Sequence, residues 1–127
     1  MKRLLVLTLL FFPILVFSQK SISPSDAVQL IHDTNELLII DVRTPIEYDS
    51  TAIQKAINID VKNPNFQENI QKIDKTKPVL VYCRSGKRSI MAMNTMHQLG
   101  FSEVYNLLGG IIAFKKEFPD YVISKSK

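Results

Sequence analysis

The sequence has a single cysteine, Cys83, among its 127 residues. Small domains of oxidising compartments usually carry disulfides, but one cysteine cannot pair within its own chain. An internal disulfide framework is therefore excluded. Cys83 is either an inert, buried thiol or a residue that is kept for its chemistry.

Charged residues are absent from the apolar run Leu4 to Phe17, which follows Lys2 and Arg3. This arrangement is typical of a secretory signal peptide. Val16 and Ser18 have the small or modest side chains that a signal peptidase accepts, so we predict cleavage after Ser18. Residues 1–18 are then the signal peptide, and residues 19–127 form one domain.

An uncleaved membrane anchor is the alternative interpretation of the leader. However, Pro13 interrupts the apolar run, which is shorter than the roughly 20 residues that span a bilayer. No cysteine follows the run, which argues against a bacterial lipoprotein. We therefore expect a bacterial protein that is exported, periplasmic or secreted, with no stable membrane insertion after cleavage.

Only a small excess of positive charge remains after the leader is removed. The formal net charge is +4 for the whole chain, and the leader holds two of the basic residues. The remaining excess is too small and too scattered for a nucleic-acid surface. We expect no nucleic-acid partner, and we expect the mature domain to be a monomer.

Helical and extended patterns alternate after the leader, without internal repeats or low-complexity tracts. Helices are predicted over 24–33, from Thr44 as cap, from 63 to about 73, over 89–99 and over 110–118, and strands over 37–42, 57–59, 79–82 and 104–107. The tail Ser124 to Lys127 is predicted to be loose. This order favours an α/β domain with a largely parallel sheet.

The strongest strand signal, Val79–Tyr82, leads directly to Cys83 and a polar loop before a helix. Unpaired N–H groups at such a junction, together with the helix dipole, favour an anion. The nearby Arg84, Lys87 and Arg88 add positive charge, which lowers the pKa of a thiol. The segment therefore suits a nucleophilic thiolate that requires no metal or organic cofactor.

Gly86 fits this interpretation because a tight loop often needs a residue with positive φ. Ser85 and Ser89 are additional hydrogen-bond donors. The alternative is that Cys83 is a core thiol at a strand end and that the charged residues form a solvated turn. The order strand, anion loop, helix favours the reactive interpretation.

Several segments, taken in order, resemble the rhodanese family over nearly all of the chain after the leader. The segments are Ile40-Asp41-Val42-Arg43-Thr44-Pro45-Ile46-Glu47-Tyr48, Ala56-Ile57-Asn58-Ile59, Val81-Tyr82-Cys83-Arg84-Ser85-Gly86-Lys87-Arg88-Ser89, Gly100-Phe101 and Leu107-Leu108-Gly109-Gly110-Ile111-Ile112-Ala113-Phe114. The resemblance implies a rhodanese-like α/β fold of the single-domain type, with a small, mostly parallel sheet flanked by helices on both faces.

The resemblance also implies a sulfurtransferase that takes a sulfane sulfur from a donor such as thiosulfate and passes it to a thiophilic acceptor. Cys83 would be the nucleophile and sulfur carrier. Arg84, Ser85, Gly86, Lys87 and Arg88 would form the loop that binds the substrate, and Asp41, Arg43 and Ser89 would support it. The donor would be a small anion, and the acceptor, a thiol or a protein, is not identified.

The chain departs from the family pattern on one side of the predicted site. Thr51-Ala52-Ile53 stands where the family commonly has Gly-His-Ile, and Lys55 stands where a glycine is usual. Phe114 replaces a frequent tryptophan. These changes affect the turn before the second strand and leave Cys83 untouched.

Two other functions compete with sulfur transfer. Cysteine phosphatases and arsenate reductases of this fold use the wider loop Cys-x5-Arg, whereas Arg88 lies one position closer to Cys83 and position 89 is serine. A contracted loop suits one added sulfur better than a phosphoryl group. A non-enzymatic module that binds a partner or delivers sulfur to it is the second alternative.

Overall fold

The structure is a computed structural model that describes residues 1–14 and 18–125. Its strands are β1 (Ser18–Ile22), β2 (Leu38–Asp41), β3 (Thr51–Ile53), β4 (Ile57–Asn58), β5 (Val79–Tyr82), β6 (Glu103–Leu107) and β7 (Val122–Ser124). Its helices are α1 (Pro24–Asp33), α2 (Pro45–Ser50), α3 (Phe66–Ile70), α4 (Lys87–Gln98) and α5 (Gly110–Glu117), followed by a short 3-10 turn, Pro119–Tyr121.

Five strands form a parallel sheet in the order β1-β6-β5-β2-β4. The middle strand, β5, is buried at all four positions, which explains why its sequence is a continuous apolar run rather than an alternating one. Parallel strands end at the same edge, so β2 and β5 deliver Asp41 and Tyr82 side by side. The residues that follow these strands, Arg43 and Cys83 among them, lie at that edge.

Helices cover both faces of the sheet. On one face, α3 and α4 bury Phe66, Ile70, Ala92, Met93 and Met96 against the strands. On the other face, α1 and α5 contribute Ala27, Ile111 and Phe114 to a second apolar cluster. The predicted α/β architecture, a small, mostly parallel sheet flanked by helices on both faces, is confirmed.

Three strands, β1, β3 and β7, were not predicted. The prediction of a loose tail is wrong for its first two residues, Ser124 and Lys125. β3 and β7 pair antiparallel, with Thr51 opposite Ser124, and the N–H of Lys125 donates to the carbonyl of Ser50 at 2.9 Å. Both strands have three residues, which is too short to show a periodic pattern. Residues 126–127 of the predicted tail lie outside the described residues.

Residues 1–14, which belong to the predicted leader, contain no helix or strand, and their side chains are exposed. No helix in the described ranges is long and apolar enough to cross a membrane. β1 begins at Ser18 and pairs with β6. Val16, on which the predicted cleavage motif depends, lies outside the described residues, so cleavage after Ser18 stays a prediction.

Lys55 has a backbone φ of 66°, in the left-handed region. Residues with a Cβ atom are less stable than glycine in this conformation, because Cβ comes close to the following carbonyl oxygen. This is the position where the resemblance led us to expect a glycine. Two hydrogen bonds close the turn around Lys55: the Tyr48 hydroxyl donates to the Ala56 carbonyl at 2.8 Å, and the Ala56 N–H donates to the Ile53 carbonyl at 3.1 Å.

Candidate active site

Cys83 occupies the position immediately after β5, and the loop that follows turns directly into α4. α4 begins at Lys87, two residues earlier than the predicted start at Ser89. Gly86 makes this early start possible: its φ of 102° is one that glycine adopts without penalty. A Cβ there would also lie 3.4 Å from the amide nitrogen of Gly109, so the loop packs closely against the start of α5.

The sulfur of Cys83 lies within hydrogen-bonding distance of two donors. The Gly86 N–H donates to Sγ at 3.1 Å and the Ser89 hydroxyl at 3.3 Å. Cys83 is 1% exposed, and its burial alone would raise the pKa of the thiol. Hydrogen bonds from Ser89, Gly86 and the Ser85 N–H outweigh burial and lower that pKa below its ordinary value.

The three loop cations are placed differently from one another. Arg84 and Lys87 are exposed, whereas Arg88 forms a bidentate ion pair with Glu47 of α2, with N–O distances of 2.8 and 2.9 Å. Arg88 lowers the pKa of Glu47 to about 2. No role in the site was predicted for Glu47 from the sequence; the structure also shows it in a capping box with Thr44 at the start of α2.

Asp41 and Arg43 form a buried ion pair, with an Nη2–Oδ2 distance of 2.7 Å and Nε–Oδ distances of 3.0 and 3.1 Å. Arg43 also donates to the Thr51 carbonyl at 2.5 Å, so the pair connects β2 to β3. Asp41 lies beside Tyr82 in the sheet register, one residue before Cys83. The two residues therefore shape the edge of the sheet from which the loop begins.

Gly109 and Gly110, at the start of α5, let the backbone of this helix come close enough to the active loop for hydrogen bonds. The Ile111 N–H donates to the Cys83 carbonyl at 2.9 Å, and the Ile112 N–H donates to the Arg84 carbonyl at 3.3 Å. A Cβ on Gly110 would lie only 2.3 Å from the Arg84 carbonyl oxygen. The Gly-Gly motif is the signal that could have predicted this close approach of two backbones.

A cleft of about 420 Å³ opens beside the loop, between α2 and α5. Arg84 contributes the loop side, Ile46 the α2 side, and Ile112 and Lys115 the α5 side. Cys83 does not line this cleft, but its neighbour Arg84 does. The predicted site residues thus meet at one edge of the sheet, with an open space next to them.

Comparison with known proteins agrees with this arrangement. The sequence model of the family described as Rhodanese-like domain matches residues 23–117 of this chain. The chain belongs to the rhodanese-like domain family. A relative that is 36% identical over 100 residues is the thiosulfate sulfurtransferase GlpE of Coxiella burnetii, and the match covers 79% of this chain and 91% of that protein. Rhodanese-family sulfurtransferases are thus its homologues.

Other members of the rhodanese-like family place the domain in different contexts. A crystal structure of a rhodanese-related protein from Thermoplasma volcanium has a TM-score of 0.70 and 30% identity, and covers 82% of this chain and 97% of that one. The tRNA uridine(34) hydroxylase of Pelagibacter ubique is 35% identical over 75% of this chain, but the chain spans only 32% of that relative's length. Its activity is therefore a property of a longer protein.

Proposed function

We propose that this rhodanese-like domain is a sulfurtransferase that carries a sulfane sulfur on Cys83 as a persulfide. The observation that supports the proposal most strongly is the pair of donors on the sulfur, the Gly86 N–H and the Ser89 hydroxyl. Donors that stabilise a thiolate make the nucleophile available near neutral pH. The same donors lie close to where negative charge develops during transfer.

In the first half-reaction, the Cys83 thiolate attacks the outer sulfur of thiosulfate or a similar donor. A new S–S bond forms with the electron pair of Sγ, and the bond between the outer sulfur and the sulfonate breaks. Sulfite leaves with the electron pair of the broken bond, so the charges and atoms balance without an added oxidant. The product on the protein is the deprotonated Cys83 persulfide.

In the second half-reaction, a thiophilic acceptor attacks the outer sulfur of the persulfide. The bond between the two sulfurs breaks, and Sγ leaves as a thiolate, which restores the starting state. With cyanide as acceptor the product is thiocyanate. The Cys83 sulfur is thus the nucleophile of the first half-reaction and the leaving group of the second, and neither step uses a resident cofactor.

The loop residues have separable roles in this proposal. The N–H groups of Ser85 and Gly86 stabilise the negative charge on the sulfur that is being transferred. The exposed cations Arg84 and Lys87 attract the anionic donor. Arg88, held by Glu47, adds positive charge at the start of α4 without leaving its ion pair.

The decisive experiment incubates the purified mature domain with thiosulfate and measures intact mass. One added sulfur, removed by cyanide as thiocyanate, is the expected result. Cys83→Ser should give no added sulfur while keeping its circular dichroism spectrum, because serine nearly preserves the volume of the side chain. Loading that persists in Cys83→Ser would overturn the proposal.

We also propose that the protein acts outside the cytoplasm, as a periplasmic or secreted monomer. The apolar leader side chains support this, since Leu4 and Phe11 are 88% and 94% exposed rather than part of either core cluster. Expression of the full chain in a bacterium should yield an extracytoplasmic product beginning at Gln19, by N-terminal sequencing. A cytoplasmic product that retains the leader would overturn export, and a dimeric mass by light scattering would overturn the monomer.

A further inference from the structure

The last strand, β7, lies beyond the part of the chain that the family model matches. The match ends at residue 117, and β7 covers Val122–Ser124. β7 pairs with β3 over all three of its residues. Two backbone hydrogen bonds flank this pairing: the Gln54 N–H donates to the Tyr121 carbonyl at 2.8 Å, and the Lys125 N–H donates to the Ser50 carbonyl at 2.9 Å. The C-terminal segment is therefore tied to the end of α2 and to the strand that follows it.

The side chain of Lys125 also contacts α2. Its Nζ lies 3.5 Å from the centroid of the Tyr48 ring, in the geometry of a cation–π interaction. Tyr48 is half-buried, and its hydroxyl donates to the Ala56 carbonyl at 2.8 Å, which fixes the ring. Lys125 thus contacts α2 at two points, through its N–H at Ser50 and through its ammonium group at Tyr48.

α2 depends on such contacts because little else fixes its position. It has six residues, Pro45–Ser50, and none of them is buried. A helix this short is not stable on its own in water. The capping box of Thr44 and Glu47 fixes its N-terminal end, whereas β3 and β7 fix the segment that follows its C-terminal end. The C-terminal segment therefore helps to set where the α2 side chains lie.

The α2 side chain that reaches the active loop is Glu47, the neighbour of Tyr48. Its carboxylate forms the bidentate ion pair with Arg88, in the first turn of α4. The hydrogen bonds and the charge of Glu47 outweigh burial and raise the pKa of the Arg88 guanidinium, and the Cys83 thiolate adds to this effect. The position of Glu47 thus decides how much of the Arg88 charge is offset beside the sulfur.

We propose that Lys125, together with β7, is a positioning residue for Glu47: it keeps the Glu47 carboxylate on Arg88 and so limits the positive charge that the active loop presents to an anionic sulfur donor. Lys125 acts through α2 and not on the donor itself. This inference rests on the proposed sulfurtransferase function, because the donor is the substrate that responds to the charge of Arg88.

The sign of the effect separates positioning from general surface charge. Lys125→Gln removes a cation, so general charge predicts weaker use of an anionic donor. Positioning predicts the opposite, because a Glu47 carboxylate that leaves Arg88 exposes the charge of the guanidinium. The same reasoning applies to a chain that ends at Tyr121 and lacks β7.

The first experiment compares two donors of different charge on the mature protein. Thiosulfate is a dianion, and methanethiosulfonate is a monoanion. With either donor, the Cys83 thiolate bonds to the outer sulfur, and sulfite or methanesulfinate leaves with the electron pair of the broken bond. Intact mass gives the second-order rate constant of loading for each donor, at a temperature where circular dichroism shows the variant to be folded. The ratio of the two rate constants cancels a general loss of reactivity.

We expect the ratio of thiosulfate to methanethiosulfonate to rise about 1.5-fold in Lys125→Gln and about twofold in the chain that lacks β7, the size of an exposed ion pair acting on one extra charge. Lys125→Arg should keep the original ratio, because it keeps a cation over the ring. Lys116→Gln, an exposed lysine of α5, is the charge control and should not raise the ratio. An unchanged or lower ratio in Lys125→Gln, or an equal rise in Lys116→Gln, would overturn the inference.

A double-mutant cycle tests the route through Glu47. In the Glu47→Gln background, Lys125→Gln should change the donor ratio no further, because no carboxylate remains to be positioned. A change of full size in that background would show that Lys125 acts by another route and would overturn the assignment.

A second measurement needs no sulfur donor. The pKa of Glu47, about 2 in the folded chain, is followed by NMR of its carboxyl carbon. It should rise by roughly half a pH unit in Tyr48→Leu, which removes the ring but keeps the charge of Lys125. Tyr48→Phe is the matched control and should keep the low pKa, because it loses only the hydroxyl. Equal pKa values in Tyr48→Leu and the unaltered protein, or an equal rise in Tyr48→Phe, would contradict the proposal.

The positioning role and the sulfurtransferase function fail in different ways. If no sulfane donor adds sulfur to Cys83, the sulfurtransferase function fails, and the effect on donor charge falls with it even if the Glu47 pKa responds to Tyr48→Leu. If loading succeeds but neither the donor ratio nor the Glu47 pKa responds, the function stands and the role of Lys125 is wrong.

Discussion

Arg88 of the active loop and Glu47 of α2 form a bidentate ion pair, although the two residues are 41 positions apart. The pair joins the start of α4 to the capped start of α2, since Glu47 also accepts from the Thr44 hydroxyl at 3.1 Å. Arg88 thus holds a fixed position beside the loop. Its charge is partly offset before any anionic substrate arrives.

Glu47→Gln and Arg88→Ala should change donor use in opposite directions. Arg88→Ala removes a cation near the loop and should lower the rate constant for loading by thiosulfate, about threefold to tenfold. Glu47→Gln removes a carboxylate that repels the donor and offsets Arg88, and should raise that rate constant by about threefold. Loading is followed by intact mass at several thiosulfate concentrations. A decrease in both variants would show that the pair acts only by holding the loop in place.

The same ion pair predicts a dependence of stability on pH. The pKa of Glu47 is lowered from 4.5 to about 2 in the folded chain, so its stabilising contribution is present above pH 4.5 and is lost as the pH falls toward 2. For a partly exposed pair we expect about 1 kcal/mol at neutral pH. Urea unfolding of Glu47→Gln should show that deficit at pH 7, and the deficit should shrink at low pH. A deficit independent of pH would contradict this cause.

Ser89→Ala should raise the pKa of the Cys83 thiol, because the Ser89 hydroxyl is the largest of the hydrogen bonds that lower it. Removing a hydrogen bond to a charged group should slow alkylation below the titration midpoint by roughly tenfold. The thiolate absorbance reports Cys83 alone, since the chain has no other cysteine. Ser85→Ala is the control, because it keeps the N–H that faces the sulfur. Equal midpoints in Ser89→Ala and the unaltered domain would contradict the prediction.

Local patterns predicted the elements that carry the site. Val79–Tyr82 was predicted at its observed bounds because burial on both faces makes a strand continuously apolar. The helix cap at Thr44 was predictable because the capping residues lie within four consecutive positions of the sequence. The contacts that cross the chain were not predictable in this way. The Glu47–Arg88 pair and the β3–β7 pairing join distant segments, and no single window of sequence contains both partners.

Asp41→Asn should destabilise the fold by about 3–5 kcal/mol, because it leaves the charge of Arg43 buried without its partner. Arg43 is 4% exposed and Asp41 is fully buried. Urea unfolding at pH 7 measures the change. Asp49→Asn, at an exposed position, should alter stability by less than about 0.5 kcal/mol. A cost for Asp41→Asn as small as that of the control would mean that the buried pair does not support the sheet edge.

Gly110→Ala should disrupt the loop more than any other glycine substitution of the same kind. Its φ is 61°, and the new Cβ would meet the carbonyl oxygens of Arg84 and Cys83 at 2.3 and 2.6 Å, which are backbone atoms that cannot rotate away. Gly100→Ala is the matched control, since its φ of 93° is also positive, and at least as unfavourable for alanine, but its Cβ would have no described atom within 4 Å.

Gly100→Ala measures the cost of backbone strain alone, whereas Gly110→Ala adds the collision of the new Cβ with the active loop. Gly100→Ala should cost about 1–2 kcal/mol from the left-handed conformation alone, and its sulfur loading should be unchanged. Gly110→Ala should cost that amount and about 1–3 kcal/mol more for the collision. Its loading rate should fall at least tenfold even at a temperature where the variant is folded, because the displaced carbonyls belong to Cys83, which carries the sulfur, and to Arg84, the next residue of the loop. Equal unfolding free energies and equal loading rates for the two variants would mean that α5 can move aside and that the loop does not depend on this close approach.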